Sequence, residues 1–271
     1  MRTESGPWDI GRTALLVALE RAMAAAQVES LACDEYSGWF LAAAGAPEIS
    51  RLTECPELLS ESMLTSVVAG FRTKFLDDFS LSASADGIQQ VVLLAAGFDA
   101  RAYRLDWAPG SVVYEIDVAS TQQFKRQVLT EHNAIPRALR WEVTADPLDD
   151  WTSPLLAAAF DPAAPTAWLT EGLLTHLPTT LQSSLFEQVD MLSAAGSRFA
   201  ADISDSPDAS YYPDHRLTRR STAATWFASH GWTATGNTLQ DLATRFDRVL
   251  PAFPEALRPM FDNLKYLATE K

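Results

Sequence analysis

Acidic side chains follow several apolar, β-rich runs of this sequence, where an α/β protein places its ligands. Gly97 comes directly after the run 91–96, and Asp117 lies 20 residues further on, at the end of the next such run. A glycine there lets the backbone turn tightly and approach a ligand closely. A carboxylate at that offset is suitably placed to accept hydrogen bonds from ribose hydroxyls. The pair therefore predicts a nucleoside site, although Asp117 could instead cap the helix that follows it.

Two further acids, Asp146 and Glu171, end the next β-rich runs. Asp146 could accept a hydrogen bond from an adenine amino group, and Glu171 could meet a cationic ligand group. The chain has no GxGxxG motif, so the pyrophosphate loop of dinucleotide enzymes is not predicted. A nucleoside without pyrophosphate fits better, and S-adenosylmethionine is such a nucleoside.

The elements that must position these residues are read from the hydrophobic pattern. Residues 1–89 are predicted to form a helical N-terminal cap or lid, because apolar residues recur at helical spacing. From residue 90 to 271, β-rich runs alternate with helical stretches, which predicts a doubly wound α/β sheet with ligands at the carboxyl ends of its strands. The rest of the chain, with Trp226, Trp232 and the stretch 249–271, is predicted as a helix, a strand and a closing helix or strand. The predicted helices are 8–26, 34–44, 57–79, 120–132, 150–160 and 179–195, and the predicted strands are 91–96, 111–117, 138–144, 166–171 and 197–203.

Composition narrows the functional classes. The 271 residues are 47% hydrophobic and carry a net charge of −14, so we expect a folded protein without general affinity for nucleic acid or anionic membranes. No apolar run is long enough to span a bilayer, and the first residues lack the order of a secretion signal, which favours a cytoplasmic location. Cys33 and Cys55 have no metal-binding spacing, so we expect reduced thiols and no metal site. The oligomeric state is not predicted.

Several ordered motifs resemble one known family. The runs VVLLAAGFDARAYRLDW, VYEID, FKRQVL, ADPLDDW, FDPAAPTAWLTEGLLTHLP and LSAAGSRF are similar to those of the leucine carboxyl methyltransferase-like family. More narrowly, they resemble its bacterial O-methyltransferases, many of which are associated with polyketide and other secondary-metabolite pathways. The resemblance extends from about residue 8 to residue 236. It implies a class I, Rossmann-like methyltransferase fold with an added helical N-terminal region, and S-adenosylmethionine as cofactor.

The resemblance also implies roles for single residues. Arg72, in GFRTKFLDD, stands where the family holds the carboxylate of the cofactor, although it could instead pair with Asp77 or Asp78 on a helix surface. Glu115, Arg101 and Arg104 are expected to form structural ion pairs. The other cofactor-binding positions coincide with those reached from the residues alone, namely Gly97, Asp117, Asp146 and Glu171.

Three residues depart from the family pattern. Ala95 stands where glycine is usual, and Pro147 replaces a leucine beside Asp146, which removes a backbone donor. His176 replaces the tyrosine of the EGLLxYLP motif, on the expected substrate side. It is the candidate catalytic base, and its alternative is a purely structural histidine.

A polar, aromatic segment near 204–220 follows the last predicted strand and is a candidate substrate loop. Its candidate substrate contacts are Tyr211, Tyr212 and His215. The alternative is an ordinary surface connection.

Together these features predict an S-adenosylmethionine-dependent O-methyltransferase that acts on a carboxylate or hydroxyl oxygen of a small-molecule acceptor. A carboxylate, with a pKa near about 4, needs no base at pH 7, whereas a phenol near about 10 would benefit from His176. Two alternatives stay open: a nicotinamide oxidoreductase, which the missing GxGxxG motif opposes, and a nucleoside-binding module that has lost turnover.

Overall fold

The structure is a computed structural model that describes residues 8–27, 29–45, 56–204, 222–255 and 257–271 of the chain. A short 3-10 helix covers Leu174–His176. The α-helices, numbered in chain order, are α1 (Trp8–Ala25), α2 (Glu35–Ala43), α3 (Pro56–Ala85), α4 (Arg101–Arg104), α5 (Ala119–Glu131), α6 (Thr152–Ala157), α7 (Thr179–Met191), α8 (Ala223–Ser229), α9 (Leu239–Arg245) and α10 (Arg258–Asp262). The strands are β1 (Gln90–Leu94), β2 (Val112–Asp117), β3 (Leu139–Thr144), β4 (Thr166–Thr170), β5 (Arg198–Ser204), β6 (Thr233–Thr238) and β7 (Leu264–Glu270).

The strands form one seven-stranded sheet in the order β3-β2-β1-β4-β5-β7-β6. The pairs from β3 to β5 are parallel, while β7 runs antiparallel to both β5 and β6. Every residue of β1 and of β4 is buried, as expected for strands that are covered on both faces. The predicted doubly wound α/β sheet is confirmed. The closing segment is a strand, which was one of its two predicted forms.

The N-terminal helices belong to the core of this sheet. One hydrophobic cluster joins α1, α2 and α3 to strands of the sheet, through residues such as Leu15, Phe40, Leu76, Val91 and Leu93. The predicted boundary between residues 89 and 90 therefore separates two parts of the sequence that share one hydrophobic core. That the helices act as a lid stays a prediction. The opposite face of the sheet is filled by a second cluster that includes Trp151, Trp168, Phe186, Phe199 and Phe227.

Local chemistry explains where several elements begin and end. The carboxylate of Asp34 accepts hydrogen bonds from the backbone N–H groups of Tyr36 and Ser37, at 3.1 and 3.2 Å, and so caps α2. The predicted helix over 150–160 is limited to α6, and Ala159, just beyond it, adopts a left-handed φ of +63°. The predicted helix over 179–195 ends earlier, at Met191.

The structure describes only some of the residues behind the expectations on cysteines and substrate contacts. Cys33 is exposed and forms no disulfide, whereas Cys55 lies outside the described residues. The candidate substrate residues Tyr211, Tyr212 and His215 also lie outside them. Among the helices that the structure describes, none combines the length and the apolar character needed to cross a bilayer.

Candidate active site

A cavity of about 360 Å³ opens where β1, β2 and β4 end. Its wall is made by one face of α1, the loops that follow these strands, the turn after β3 and the 3-10 helix. This is the edge at which doubly wound sheets bind ligands. The sequence-predicted residues that line the cavity are Gly97, Asp117, Asp146, Glu171 and His176.

Asp117 and Gly97 join two neighbouring strand ends. The backbone N–H of Gly97 donates to Oδ2 of Asp117 at 2.7 Å, and that of Val118 donates to Oδ1 at 2.7 Å. Burial raises the pKa of Asp117, although both backbone hydrogen bonds act in the opposite direction. Val118, not Asp117, is the N-cap residue of α5. The capping alternative for Asp117 is therefore not what the structure shows.

The turn after β1 demands an unusual backbone. Gly97 has a φ of +50°, and a Cβ added to it would lie 3.4 Å from the Cβ of Ala14 on α1. Ala95 adopts a φ of +53°, in the left-handed region that glycine occupies more readily. The turn thus forms in this chain even though alanine replaces the family's usual glycine, at the cost of some backbone strain.

Asp146 and His176 lie on separate loops of the cavity wall. Asp146 is exposed, and its Oδ1 accepts a hydrogen bond from the backbone N–H of Leu148 at 2.9 Å. His176 is half-buried at the end of the 3-10 helix, and its backbone N–H donates to the carbonyl of Leu173 at 3.0 Å. Both side chains belong to the same cavity, so a ligand there can contact an acid and an imidazole together.

Glu171 is the centre of a buried ion-pair network. Its carboxylate binds Nη2 of Arg21 at 2.6 Å, Nη1 of Arg101 at 2.9 Å and Nε of Arg72 at 2.9 Å. Burial alone would raise the pKa of Glu171, but the three guanidinium groups hold that pKa well below its ordinary value. From the sequence, Glu171 is expected to meet a cationic ligand group. In the structure its carboxylate is already shared by three cations of the chain.

Arg72 does not line the cavity. Besides Glu171, its Nη2 lies 3.3 Å from the carboxylate of Glu20, and its Nη1 lies 3.8 Å from that of Asp202. The alternative partners of Arg72 bind other cations in the structure: Asp77 binds Arg101 and Arg104, and Asp78 binds Lys74.

The residues expected to be structural are found in ion pairs. Glu115 binds Lys125 at 2.7 Å and Arg140 at 2.6 Å, and all three are buried or nearly so. Arg104 binds Asp77 at 2.5 Å. Arg101 also forms structural ion pairs, but it lines the cavity as well, which the sequence analysis did not predict.

Two further charged residues of the cavity wall, Arg21 and Asp99, were not predicted from the sequence. Arg21 could have been found from helical spacing, because Ala14, Val17 and Arg21 recur on one face of α1 and all three line the cavity. Asp99 follows Gly97 by two residues, in the same loop.

The lining residues fit S-adenosylmethionine. Gly97 forms a turn with a left-handed φ that disfavours a side chain, and the carboxylates of Asp117 and Asp146 could accept hydrogen bonds from ribose hydroxyls and from an amino group, respectively. The amino-acid end of this cofactor carries both an ammonium and a carboxylate, and the same cavity offers both signs of charge. Its charged lining residues near Glu171 are Arg21, Asp99 and Arg101.

Comparison with known proteins identifies the family. A sequence profile of the leucine carboxyl methyltransferase family matches residues 14–190. The chain belongs to this family. Relatives named "putative S-adenosyl-L-methionine-dependent methyltransferase" share 39% identity with it in Rhodococcus jostii, over 100% of both chains, and 42% in Mycobacteroides abscessus, over 98% of this chain and 97% of the relative.

A solved structure shows the same fold at low sequence identity. The crystal structure of a protein from Thermobifida fusca, named as a "putative methyltransferase", superposes with a TM-score of 0.55. The superposition covers 95% of this chain and 94% of the Thermobifida fusca chain, and the two sequences are 14% identical. The class I methyltransferase fold expected from the motifs of this leucine carboxyl methyltransferase family member is confirmed.

Proposed function

We propose that this protein is an S-adenosylmethionine-dependent O-methyltransferase whose acceptor is a carboxylate or phenolic hydroxyl of a small, polyketide-like or other secondary-metabolite molecule. Methyl transfer and the cofactor follow from the family; the oxygen acceptor and its chemical class are the proposal. The observation that carries it is one cavity in which the nucleoside-binding pair, Gly97 and Asp117, shares a wall with the titratable side chain of His176.

In this proposal, residues of the cavity wall hold the cofactor so that its methyl group lies beside the acceptor. When bound, S-adenosylmethionine supplies a sulfonium methyl group that a nucleophilic oxygen can attack in line. Asp117 would accept hydrogen bonds from the ribose hydroxyls, and Asp146 would accept one from the adenine amino group. Fixing both partners in this way can contribute about 7–11 kcal/mol to lowering the barrier.

The apolar part of the cavity wall suits an acceptor with a hydrocarbon or aromatic body. It includes Leu148, Leu173 and Leu177. Leu177 directly follows His176 in the sequence, and Leu173 precedes it by three residues. Pockets for small molecules combine such apolar walls with a few polar groups that fix orientation. We include Tyr211, Tyr212 and His215 in the proposal as acceptor contacts, on the basis of the sequence alone.

The identity of the acceptor oxygen decides what His176 does. A carboxylate is already ionised at pH 7, so it needs orientation and no base. A phenol must lose its proton, and the imidazole of His176 is the cavity group that could take it. The family name favours the carboxylate, and we place it ahead of the phenol.

The test is to incubate the purified protein with S-adenosylmethionine that carries a deuterated methyl group, together with a panel of aromatic and polyketide-like acids and phenols. Mass spectrometry detects the labelled product, and mild alkali distinguishes the two acceptors, because a methyl ester hydrolyses and an aryl methyl ether does not. Labelled product on an oxygen supports the proposal. Tight binding of S-adenosylhomocysteine with no turnover on any acceptor would instead favour the binding-module alternative, and a methyl group on nitrogen or carbon would overturn the oxygen assignment.

A further inference from the structure

Strand β3 forms one edge of the sheet and carries large apolar side chains that face solvent. Leu139 is 64% exposed and Trp141 is 48% exposed. Because they lie two residues apart, they stand on the same face of the strand as Val143, whose buried side chain belongs to the cluster on the α6 side of the sheet. Leu156 on α6, a helix that packs beside β3, is exposed as well. A group of exposed apolar side chains is typical of an interaction surface.

Strand β3 lacks the features that usually keep the edge of a sheet from pairing with another strand. Its sequence, LRWEVT, contains no lysine and no proline, and its register with β2 is regular. Its two charged side chains bind partners within the chain, since Arg140 lies 2.6 Å from Glu115 and Glu142 lies 2.8 Å from Arg126. The opposite edge strand, β6, has the sequence TATGNT, without a large apolar side chain. Of the two edges, β3 is therefore the one suited to accept another strand.

The backbone of β3 alternates between two directions. The N–H of Leu139 donates to the carbonyl of Ser111 at 3.0 Å, and the N–H of Ala145, six residues later, also donates to the β2 side of the sheet. In a parallel ladder the residues that bond to the neighbouring strand alternate, so the odd-numbered residues of β3 bond to β2. The N–H and C=O groups of the even-numbered residues point away from the sheet. In the described part of the chain, no strand lies beside them.

We propose that this edge pairs with its own copy, so that the protein is a homodimer in which the two β3 strands run antiparallel about a two-fold axis beside Trp141. Trp141 then lies directly opposite Trp141 of the second copy. In the same register Arg140 lies opposite Glu142 of the second copy, and Leu139 lies opposite Val143. An interface of this kind uses the same surface on both chains, as two-fold symmetry requires.

The backbone and the charges select this register. Arg140 and Glu142 both direct their N–H and C=O groups outward, so each such pair across the axis exchanges two hydrogen bonds, and the two pairs make four. Unlike charges directly opposite each other stabilise a sheet, and like charges destabilise it. An axis moved by one residue would place Arg140 opposite Arg140, or Glu142 opposite Glu142. Among these symmetric registers, the one centred on residue 141 pairs unlike charges.

The arrangement keeps two copies of an acidic chain apart except at the edge strand. The net charge of −14 opposes association, but charges more than about 8 Å apart are largely screened at physiological ionic strength. The two sheets extend in opposite directions from the axis and form one continuous sheet. Antiparallel strands end at opposite edges of that sheet, so each chain keeps its own cavity.

Sedimentation velocity over a range of protein concentrations, at an ionic strength of about 0.15 M, tests the association. We expect a reversible dimer with a dissociation constant of about 1–100 µM, because an interface built on one strand is small. Trp141→Lys should raise this constant by about 30-fold or more, since it replaces an aromatic side chain at the centre of the interface and places two positive charges opposite each other. No ligand or turnover is needed.

The matched control is Met191→Lys, which also replaces an exposed apolar side chain by lysine and changes the net charge equally. Met191 ends α7 and is 72% exposed. We expect its dissociation constant to stay within about twofold of the wild type. Thermal unfolding at a concentration well below the dissociation constant checks the fold. There the chain is a monomer, so replacing these exposed residues should lower Tm by about 2–4 °C at most.

Symmetric cross-linking tests the register. In a background with Cys33→Ser and Cys55→Ser, Trp141→Cys places two thiols directly opposite each other, with Cα atoms about 4.5 Å apart, which a disulfide can span. We expect diamide to trap a covalent dimer, which a non-reducing gel detects. Leu139→Cys is the control, because the two copies of that residue are about 13 Å apart in the proposed register. We expect no covalent dimer from it, although Leu139 is the more exposed of the two.

Three results would overturn the inference. The first is a wild type that stays monomeric at every concentration, which would show that another partner, or none, covers the edge. The second is a dimer that Trp141→Lys weakens no more than Met191→Lys does. The third is a Leu139→Cys variant that is trapped as readily as Trp141→Cys, since that excludes the register centred on residue 141. None of these results bears on the proposed methyltransferase activity, which is tested separately.

Discussion

At the scale of single residues, Asp117 ties two strand ends together while its carboxylate borders the cavity. Its two oxygens each accept a backbone N–H at 2.7 Å, from Gly97 and from Val118. A carboxylate oxygen has more than one acceptor site, so these bonds leave capacity for ribose hydroxyls. The backbone bonds also fix the direction in which that capacity points, so a change at this residue should be felt both in ligand binding and in the stability of the turn after β1.

We expect Asp117→Asn to weaken S-adenosylhomocysteine binding by about 10-fold or more, because a charge-assisted hydrogen bond is replaced by a neutral one and one oxygen becomes a donor. Calorimetry at pH 7 measures the change. Asp106→Asn is the matched control, since the side chain of that aspartate is 89% exposed and pairs with Arg137 away from the cavity. An affinity equal to that of the wild type would remove Asp117 from the cofactor site.

His176→Ala separates the two acceptors at the same scale. With a carboxylate acceptor we expect only a small loss of kcat and a rate that is flat from about pH 6 to 9, because no proton has to be removed. With a phenol, loss of the base should reduce the rate by about 10²- to 10⁴-fold. Steady-state kinetics on an identified acceptor give the answer. A phenol methylated at full rate by His176→Ala would exclude the base role.

At the scale of elements, the network around Glu171 connects the N-terminal helices to the cavity. Arg21 comes from α1, Arg72 from α3 and Arg101 from α4, and all three meet the acid that follows β4. The cavity wall also uses the Thr13, Ala14 and Val17 face of α1. Ligand binding in the cavity and order in these helices should therefore be coupled.

We expect hydrogen exchange in α1 and α3 to slow when S-adenosylhomocysteine is added, because the ligand adds contacts to the wall that these helices build or support. Mass spectrometry of peptic peptides reports the change. The edge strand β6 serves as an internal control, since none of its residues lines the cavity. Equal exchange of α1 and α3 with and without ligand would refute the lid role.

The same network predicts a pH dependence of stability. The pKa of Glu171 in the folded protein is well below its ordinary value of 4.5, so the stabilisation by its ion pairs is fully present above about pH 4.5 and is lost as the pH falls through the lower folded pKa. Glu171→Gln should cost about 3–5 kcal/mol at pH 7, because it leaves buried guanidinium groups without their shared partner. The difference from the wild type should shrink below about pH 4.5.

Denaturant unfolding of both proteins at a series of pH values between 7 and 3.5 measures this difference. Asp106→Asn is again a suitable control, because an exposed ion pair contributes about 0–1 kcal/mol. A stability difference for Glu171→Gln that stays constant down to the lowest pH would show that the carboxylate is not held in its ionised form by the arginines.

At the scale of the whole molecule, local patterns predict the elements and long-range contacts decide their partners. The alternation of β-rich and helical runs identifies β1 to β5 within one or two residues, because each strand is a local apolar run. Strand β7 (Leu264–Glu270) is also one continuous run of the sequence. Its place between β5 and β6, however, is set by antiparallel pairing, in part with residues far away in the sequence. For this reason the sequence leaves a helix and a strand open there.

The site follows the same division. Gly97, Asp117 and Asp146 are found from their positions at strand ends, which a single sequence shows. The partners of Glu171 come from residues 21, 72 and 101, and only the folded chain brings them to one carboxylate. The position of Glu171 at a strand end is therefore predictable from the sequence, whereas its ion pairs with three arginines are not.

The shared core makes a prediction about how the molecule unfolds. Phe40 on α2 is fully buried and stacks on Phe98, with ring centroids 5.0 Å apart, while Leu267 on β7 is fully buried near the opposite edge of the sheet. If the N-terminal helices and the sheet form one cooperative unit, Phe40→Ala and Leu267→Ala should each shift a single unfolding transition. We expect costs of about 3–5 kcal/mol for the phenylalanine and about 2–5 kcal/mol for the leucine.

Thermal unfolding followed by both far-ultraviolet circular dichroism and tryptophan fluorescence should therefore give coincident curves in the wild type and in both variants. For a chain of this size, each kcal/mol lowers Tm by about 2–4 °C. Leu139→Ala is the matched control for the leucine, since Leu139 lies on the edge strand β3 and is 64% exposed, so its loss should change stability by about 0.5 kcal/mol or less. The contrary result is two separate unfolding transitions, of which Phe40→Ala shifts only one. It would show that the N-terminal helices unfold independently of the sheet, because a substitution in one unit cannot lower the Tm of a unit with which it shares no core.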